Sequence, residues 1–188
     1  MPTAENNLTP AERELHKAQD LFISRWGEMG QTWGINRTMA EIHALLYIAA
    51  QPLCTDDVME RLNISRGNAS TSLRSLCDWG IIHRHHKRGE RREYFESLSD
   101  VWEIFGLIAA ERKRREMDPV LATIRQCRKM LEEPSLGKAA RLDSVAATRK
   151  RLDSMEEFME VTNKIFTQFV GNARSGLTKI VRVLLKSL

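Results

Sequence analysis

Residues 55–95, TDDVMERLNISRGNASTSLRSLCDWGIIHRHHKRGERREYF, constrain the fold more tightly than any other stretch of the chain. Thr55 followed by Asp56 and Asp57 reads as a helix start, a capping hydroxyl with carboxylates where the helix dipole favours them. Met59, Leu62 and Ile64 are its expected inward residues. Ser65 caps a second helix in which Ala69, Leu73 and Leu76 recur at helical spacing as a buried stripe. Trp79–Gly80 closes it, the glycine supplying a left-handed cap. Ile81–His85 and Arg91–Phe95 then read as strands joined by a turn at Lys87–Glu90 with Gly89 in it, and a third short strand is expected at Pro52–Cys54. Two short helices, a tight turn and a hairpin, in that order, make a winged helix-turn-helix.

The flanks are helical. Thr9 and Pro10 suit the cap and first residue of a helix, with Leu15, Ala18, Phe22 and Trp26 on one face. Gly27, Gly30 and Gly34 are expected to weaken it, leaving Gly30–Arg37 as a connection. Thr38 is the expected cap of a helix to Ala50, with Ile42, Leu45, Leu46 and Ala49 inward and Gln51–Pro52 ending it. Beyond the hairpin, Asp100 and Glu103 form a capping pair with Trp102 and Phe105 behind them. That helix is expected to reach Met117, with Asp118–Pro119 restarting it. Val120, Leu121, Ile124, Cys127 and Leu131 form the next apolar stripe, and Pro134–Gly137 a break. Phe158, Val161, Ile165, Phe166 and Phe169 line a long helix expected to end at Gly171. Leu177, Ile180, Val181, Leu184, Leu185 and Leu188 stripe a basic terminal helix that needs something to lie against. The expected fold is therefore mainly α with a small β-hairpin wing. Residues 1–33 are the N-terminal helical segment, 34–99 the winged helix-turn-helix, and 100–188 the C-terminal helices.

The charge is concentrated where the motif is. The chain carries 29 Lys+Arg against 25 Asp+Glu, a net +4. Between Arg61 and Phe95 there are eight bases, Arg61, Arg66, Arg74, Arg84, Lys87, Arg88, Arg91 and Arg92, against Asp78, Glu90 and Glu93. The rest is near neutral, and a basic patch on a small module is the electrostatic footprint of a DNA binder. A charge run alone usually marks only a solvated face.

In a helix-turn-helix the second helix enters the major groove with its N-terminal residues toward base edges. With Ala69, Leu73 and Leu76 inward, Gly67, Thr71 and Arg74 lie opposite, flanked by Ser65, Arg66, Asn68 and Ser70. Arginine can grip guanine and asparagine adenine by paired hydrogen bonds, and hydroxyls adapt to either. Gly67 carries a helix penalty of about 1 kcal/mol against alanine, which suits close backbone approach to a phosphate. The competing reading is a polar, well-capped helix start and nothing more. Arg84, Lys87, Arg88, Arg91 and Arg92 are the candidate wing contacts, to backbone or minor groove. Their alternative role is to protect an edge strand from aggregation.

At this point a resemblance becomes specific. Gly34–Phe105 resembles the MarR superfamily of winged-helix transcription regulators, and INRTMAEIHALLY, ISRGNAS and KRGERREYF are similar to its GbsR-like branch. The resemblance implies a homodimer with both helical ends, residues 1–33 and 100–188, at the dimer interface, a possible effector site in the C-terminal helices, and two wings straddling a palindromic operator in double-stranded DNA. Some members of that branch are repressors that respond to choline-type quaternary ammonium solutes. Such an effector wants an aromatic cage, to which Trp26, Trp33, Tyr47, Trp102 and Phe105 can contribute, although aromatics at helical spacing are more often core.

Other chemistry finds less support. His83, His85 and His86 crowd one strand, with His83 and His85 on one face, but no matching cluster follows and no metal site is expected. Cys54, Cys77 and Cys127 are scattered and odd in number, which fits a reducing cytoplasm better than a disulfide framework, with Cys77 and Cys127 expected to be buried and inert. The N-terminus MPTAENNLTPAERE shows no secretory signal, and no apolar run reaches the roughly 18 residues of a membrane span. No phosphate-cradling glycine loop, paired metal histidines or nucleophile with its base is present, so no enzyme and no cofactor are expected. The sequence reading is a homodimeric, sequence-specific repressor modulated by a small-molecule effector. The alternative is a protein–protein module that uses the winged fold without specific DNA binding.

Overall fold

Thr9 opens the first helix through a reciprocal cap. Glu12 N donates to the Thr9 hydroxyl at 3.3 Å, and the Thr9 backbone N–H donates to Glu12 Oε2 at 2.7 Å. In the computed structural model, which describes residues 9–49, 51–137 and 142–174, this helix, α1, runs Pro10–Thr32. It does not break at its glycines. Gly27 and Gly30 are buried against α2 (Arg37–Ala49), where a Cβ on Gly30 would stand 2.6 Å from Ala40 Cβ and one on Gly27 2.6 Å from Glu41 Cγ. At Gly30 the two helices approach so closely that only glycine fits, and this contact offsets its propensity penalty of about 1 kcal/mol. Gly34, at φ +75°, is the one that turns the chain. Gly30→Val is accordingly expected to lower unfolding free energy by about 1–3 kcal/mol, the usual range for overpacking. A urea titration of the full chain reads this directly.

The cap of α2 is Asn36, whose Oδ1 accepts from Met39 N at 3.1 Å, and not Thr38. Ile42, Leu45 and Leu46 are buried as expected and Ala49 half-buried. Met39, Ala40, His43 and Ala44 are buried too, which makes α2 the axis of its unit. β1 (Leu53–Cys54) leads into α3 (Thr55–Leu62). Thr55 is the first helical residue rather than the cap; Cys54 N donates to Asp57 Oδ2 at 2.7 Å. With the helix displaced by one residue, Val58 is the fully buried side chain, and Met59, Leu62 and Ile64 are only half-buried.

Asn63 adopts φ +50° and ends α3, and α4 follows over Arg66–Asp78 with Ala69, Ser72, Leu73 and Leu76 buried. Gly80, at φ +73°, turns the chain into β2 (Ile82–His86), which pairs antiparallel with β3 (Glu93–Ser97). The sheet order is β1-β3-β2, with Leu53 opposite Phe95 and His86 opposite Glu93. Both strands of the hairpin begin later than their sequence suggests. Arg91 and Arg92 belong to the loop, and pairing starts at Glu93, where a carboxylate faces Arg84 at 3.2 Å.

The chain divides into two compact units, Met1–Ser99 and Asp100–Leu188. In the second, Asp100 Oδ1 accepts from Trp102 N (2.8 Å) and Glu103 N (3.3 Å) and caps α5 (Val101–Arg112). The helix does not restart at Asp118–Pro119. A wide π-type turn, Lys113–Met117, carries it into α6 (Asp118–Met130). Such a turn makes room for a proline ring that would otherwise strike the carbonyl four residues back. Asp118 pairs with Lys113 Nζ at 2.9 Å instead of capping. On α6 only Leu121 and Ile124 are buried; Cys127 and Leu131 are half-buried and Val120 is exposed.

A single turn, α7 (Glu133–Leu136), precedes α8 (Asp143–Arg174), which passes straight through Gly171. The side of α8 that meets α6 is polar. Glu156 is buried there, accepting from Arg125 Nε at 2.8 Å and from Arg128, while Arg125 Nη2 also reaches Glu160 at 2.7 Å. These arginines hold the Glu156 carboxyl below its ordinary value, Arg125 foremost. Phe158, Val161 and Ile165, which share one face as expected, are exposed, and Phe166 is half-buried. The Phe169 side chain and the stripe Leu177, Ile180, Val181, Leu184, Leu185 and Leu188 lie outside the described residues.

Candidate nucleic-acid interface

The buried stripe of α4 fixes which side of it meets solvent. Ala69, Leu73 and Leu76 seat the helix on its unit, so Ser65, Arg66, Gly67, Asn68, Ser70, Thr71 and Arg74 are all exposed. Ser65 Oγ accepts from Asn68 N at 3.3 Å and caps the helix. A Cβ at Gly67 would meet nothing within 4 Å, so the fold itself does not require glycine there. The open space leaves the α4 N-terminus accessible to an approaching anion.

The bases divide into two sets. Arg66 Nη2 pairs with Asp56 at 2.5 Å, Arg84 with Glu93, and Lys87 Nζ lies 3.9 Å above the Tyr94 ring centroid. Tyr94 Oη in turn donates to Glu90 Oε2 at 2.5 Å. This bond raises the phenol's pKa, because ionising it would forfeit the donor and set two negative charges together. Among the described residues, Arg74, Arg88, Arg91 and Arg92 are exposed with no carboxylate at ion-pair distance. The wing loop Lys87–Arg92 thus has a braced base and a bare basic tip, turned at Gly89 (φ +86°), where Glu90 N donates to Lys87 O at 3.1 Å. Sequence reasoning missed Asp56, Glu93 and Tyr94. Their pairings form only when the α3–α4 turn and the hairpin close, so they left no signal in the sequence.

The wing histidines face carboxylates: His85 Nε2 lies 3.1 Å from Glu96 and His86 Nε2 3.9 Å from Glu93. No group of three His, Cys, Asp or Glu is arranged to hold a metal among the described residues. Cys54 is buried, whereas Cys77 and Cys127, expected to be buried, are half-buried. Partial burial raises the Cys77 thiol, opposing thiolate chemistry, and the Arg84 guanidinium only partly counters this.

Of the five aromatics considered for an effector, Trp26 and Tyr47 belong to a packed cluster in the first unit. Phe22 lies 5.6 Å from Trp26 and 6.5 Å from Tyr47, ring centre to ring centre, and His43 lies 6.1 Å and 6.5 Å from the same two rings. His43 Nε2 is 3.4 Å from Ser97 Oγ on β3. Trp33 sits exposed at the end of α1, and Trp102 and Phe105 lie on α5 in the second unit.

Comparison with known proteins meets this geometry. Residues 33–93, which span α2 through the wing loop, match the MarR family. The HTH-type transcriptional repressor GbsR of Bacillus subtilis (strain 168) is 22% identical over 169 residues, covering 84% of this chain and 93% of that protein. The putative HTH-type transcriptional regulator YvaV of the same organism is 23% identical over 91 residues, 48% of this chain and 51% of that protein. A crystal structure of a transcriptional regulator superposes with a TM-score of 0.57 at 19% identity, covering 84% of this chain and 99% of its own, and shares the fold. These relatives are regulators, not enzymes, and no described helix is long and apolar enough to cross a membrane. The chain is thus a winged-helix protein that matches the MarR family over residues 33–93 and is similar over most of its length to the repressor GbsR.

Proposed function

We propose that this regulator is a homodimeric repressor that reads a palindromic operator, with the exposed side of α4 toward base edges and the wing tip along the backbone. The carrying observation is the exposed, unpaired set Arg74, Arg88, Arg91 and Arg92 on two elements of one small unit. Charge left without a carboxylate is charge available to phosphate. Ser65, Arg66, Gly67, Asn68, Ser70, Thr71 and Arg74 form the proposed base-reading set, and Arg84, Lys87, Arg88, Arg91 and Arg92 the proposed backbone set. The N-terminal part of α1 and the second unit supply dimerisation. Repression is supported by the description of GbsR as a repressor. Modulation by a small molecule of quaternary ammonium type rests on the resemblance alone. Calorimetry with choline and glycine betaine tests it, and absence of heat with unchanged operator affinity removes it.

The division of roles has a direct test. Arg74→Ala is expected to weaken selected duplex by about 5- to 100-fold, the range for losing a bidentate base contact, and scrambled duplex far less. Arg88→Ala and Arg91→Ala are expected to weaken both and to flatten the salt dependence by about 0.9 per lost phosphate contact. Equal effects at all three positions contradict the assignment. A protein–protein module instead gives no steep salt dependence on any duplex.

A further inference from the structure

We infer that Asp56 sets DNA specificity without belonging to the recognition helix: its carboxylate holds the Arg66 guanidinium in place for a base edge and withholds it from phosphate. The inference rests on the DNA-reading function proposed above.

The two residues lie ten apart in sequence, and the turn between α3 and α4 brings them together. Arg66 Nη2 donates to Asp56 Oδ1 at 2.5 Å, with both side chains well exposed, at 65% and 48%. The neighbouring carboxylate is committed elsewhere, since Asp57 caps α3 through Cys54 N. Asp56 is therefore spare as a cap and engaged as a counter-ion. Its own place is comfortable, because a carboxylate in the first turn of a helix is favoured by the dipole. Arg66 is the first residue of α4, where the same dipole disfavours a cation and a phosphate is the expected guest. Something must hold Arg66 there, and Asp56 does.

An ion pair this exposed contributes little to folding stability, so its consequence lies in what Arg66 can present. Guanidinium carries five donors in a rigid fork. With one nitrogen engaged by Asp56, the remaining edge is oriented in advance, which lowers the ordering needed on binding. The pair is also electrically neutral. On arbitrary DNA, Arg66 then releases no net counterion, and the Asp56 carboxylate repels a phosphate that would pull the arginine away. Arg88, Arg91 and Arg92 carry no such restraint. Arg66 is thereby converted from a general phosphate binder into a base reader.

The test compares two duplexes: one enriched from a random library by the unaltered chain, and a scrambled duplex of the same composition. Asp56→Asn is expected to weaken the selected duplex about 5- to 10-fold, toward the lower end for one bidentate contact. It is expected to tighten the scrambled duplex several-fold and to steepen its salt dependence by about 0.9. Both changes should vanish when Arg66→Ala is present as well. Arg66→Lys keeps the charge without the fork, and should lose selected affinity while keeping the scrambled duplex. Equal shifts on both duplexes, an unchanged salt dependence, or effects that persist without Arg66 overturn the role of Asp56 and leave DNA reading intact. Failure of the unaltered chain to enrich any duplex overturns both.

Discussion

Phe158→Glu combined with Ile165→Glu is expected to yield a well-folded monomer that no longer holds its operator. The two side chains are each 63% exposed on α8, with Val161 between them at 49% and Met155 one turn earlier at 50%. Positions 158, 161 and 165 fall on one helical stripe, opposite Glu156, which meets α6. The helix thus turns an arginine–glutamate clasp toward its own unit and an apolar stripe toward solvent, the reverse of an ordinary surface helix. A contiguous exposed apolar stripe of this kind marks an interaction surface. The homodimer proposed above assigns a second copy to it, because a two-fold interface uses the same patch on both subunits. Full burial of such a side chain is worth about 1.5–3 kcal/mol, and two-fold symmetry counts each residue twice. Four introduced carboxylates then add repulsion to lost burial, enough to abolish a dimer at micromolar concentration. Operator binding should fall about 10²- to 10⁴-fold as the second half-site ceases to be intramolecular. Light scattering gives the mass and an operator titration the affinity. The wild-type side chains are exposed, so helix content should be unchanged. A variant that keeps both dimer mass and affinity would show that α8 is not the interface.

The same helix illustrates what local sequence can and cannot reveal. Periodicity locates the stripe Phe158, Val161, Ile165 but carries no information about what the stripe faces. The clasp of Arg125 and Arg128 on Glu156 spans two helices and leaves no signature at i, i+3 or i+4. Helix α4 was legible for the opposite reason: Ala69, Leu73 and Leu76, the Ser65 cap and Gly80 are all local devices that agree with the fold. The α1 glycines misled because their partners, Glu41 for Gly27 and Ala40 for Gly30, belong to a different helix. A residue that breaks a helix in isolation becomes a packing position once a second backbone lies against it. Among site residues, exposure follows from the buried stripe and could be read in advance. Pairing could not, since Asp56 meets Arg66, and Tyr94 meets Lys87, only across turns.

Acid is expected to loosen the first unit through His43, in a pH range above that of its carboxylates. His43 is 3% exposed, and burial lowers its pKa from 6.5 to about 4. The groups around it are the rings of Trp26 and Tyr47 and the hydroxyl of Ser97, none of which offers negative charge to a buried imidazolium. Above pH 6.5 the ring is neutral whether the chain is folded or not, and its protonation has no effect on stability. Between about 6.5 and 4 the unfolded chain takes up a proton that the folded chain refuses, and stability falls by about 1.4 kcal/mol per pH unit, some 3 kcal/mol in all. That is a large share of the roughly 5–15 kcal/mol of a typical domain. The carboxyls of Glu12, Glu111, Glu116 and Glu156 are held below their ordinary values by their hydrogen-bond partners. They withdraw stability only as pH falls below about 4.3, so the two windows separate. Urea unfolding of the full chain at pH 7.5 and pH 5 should show the loss, and His43→Gln should remove most of it; an equal loss in the variant would acquit His43.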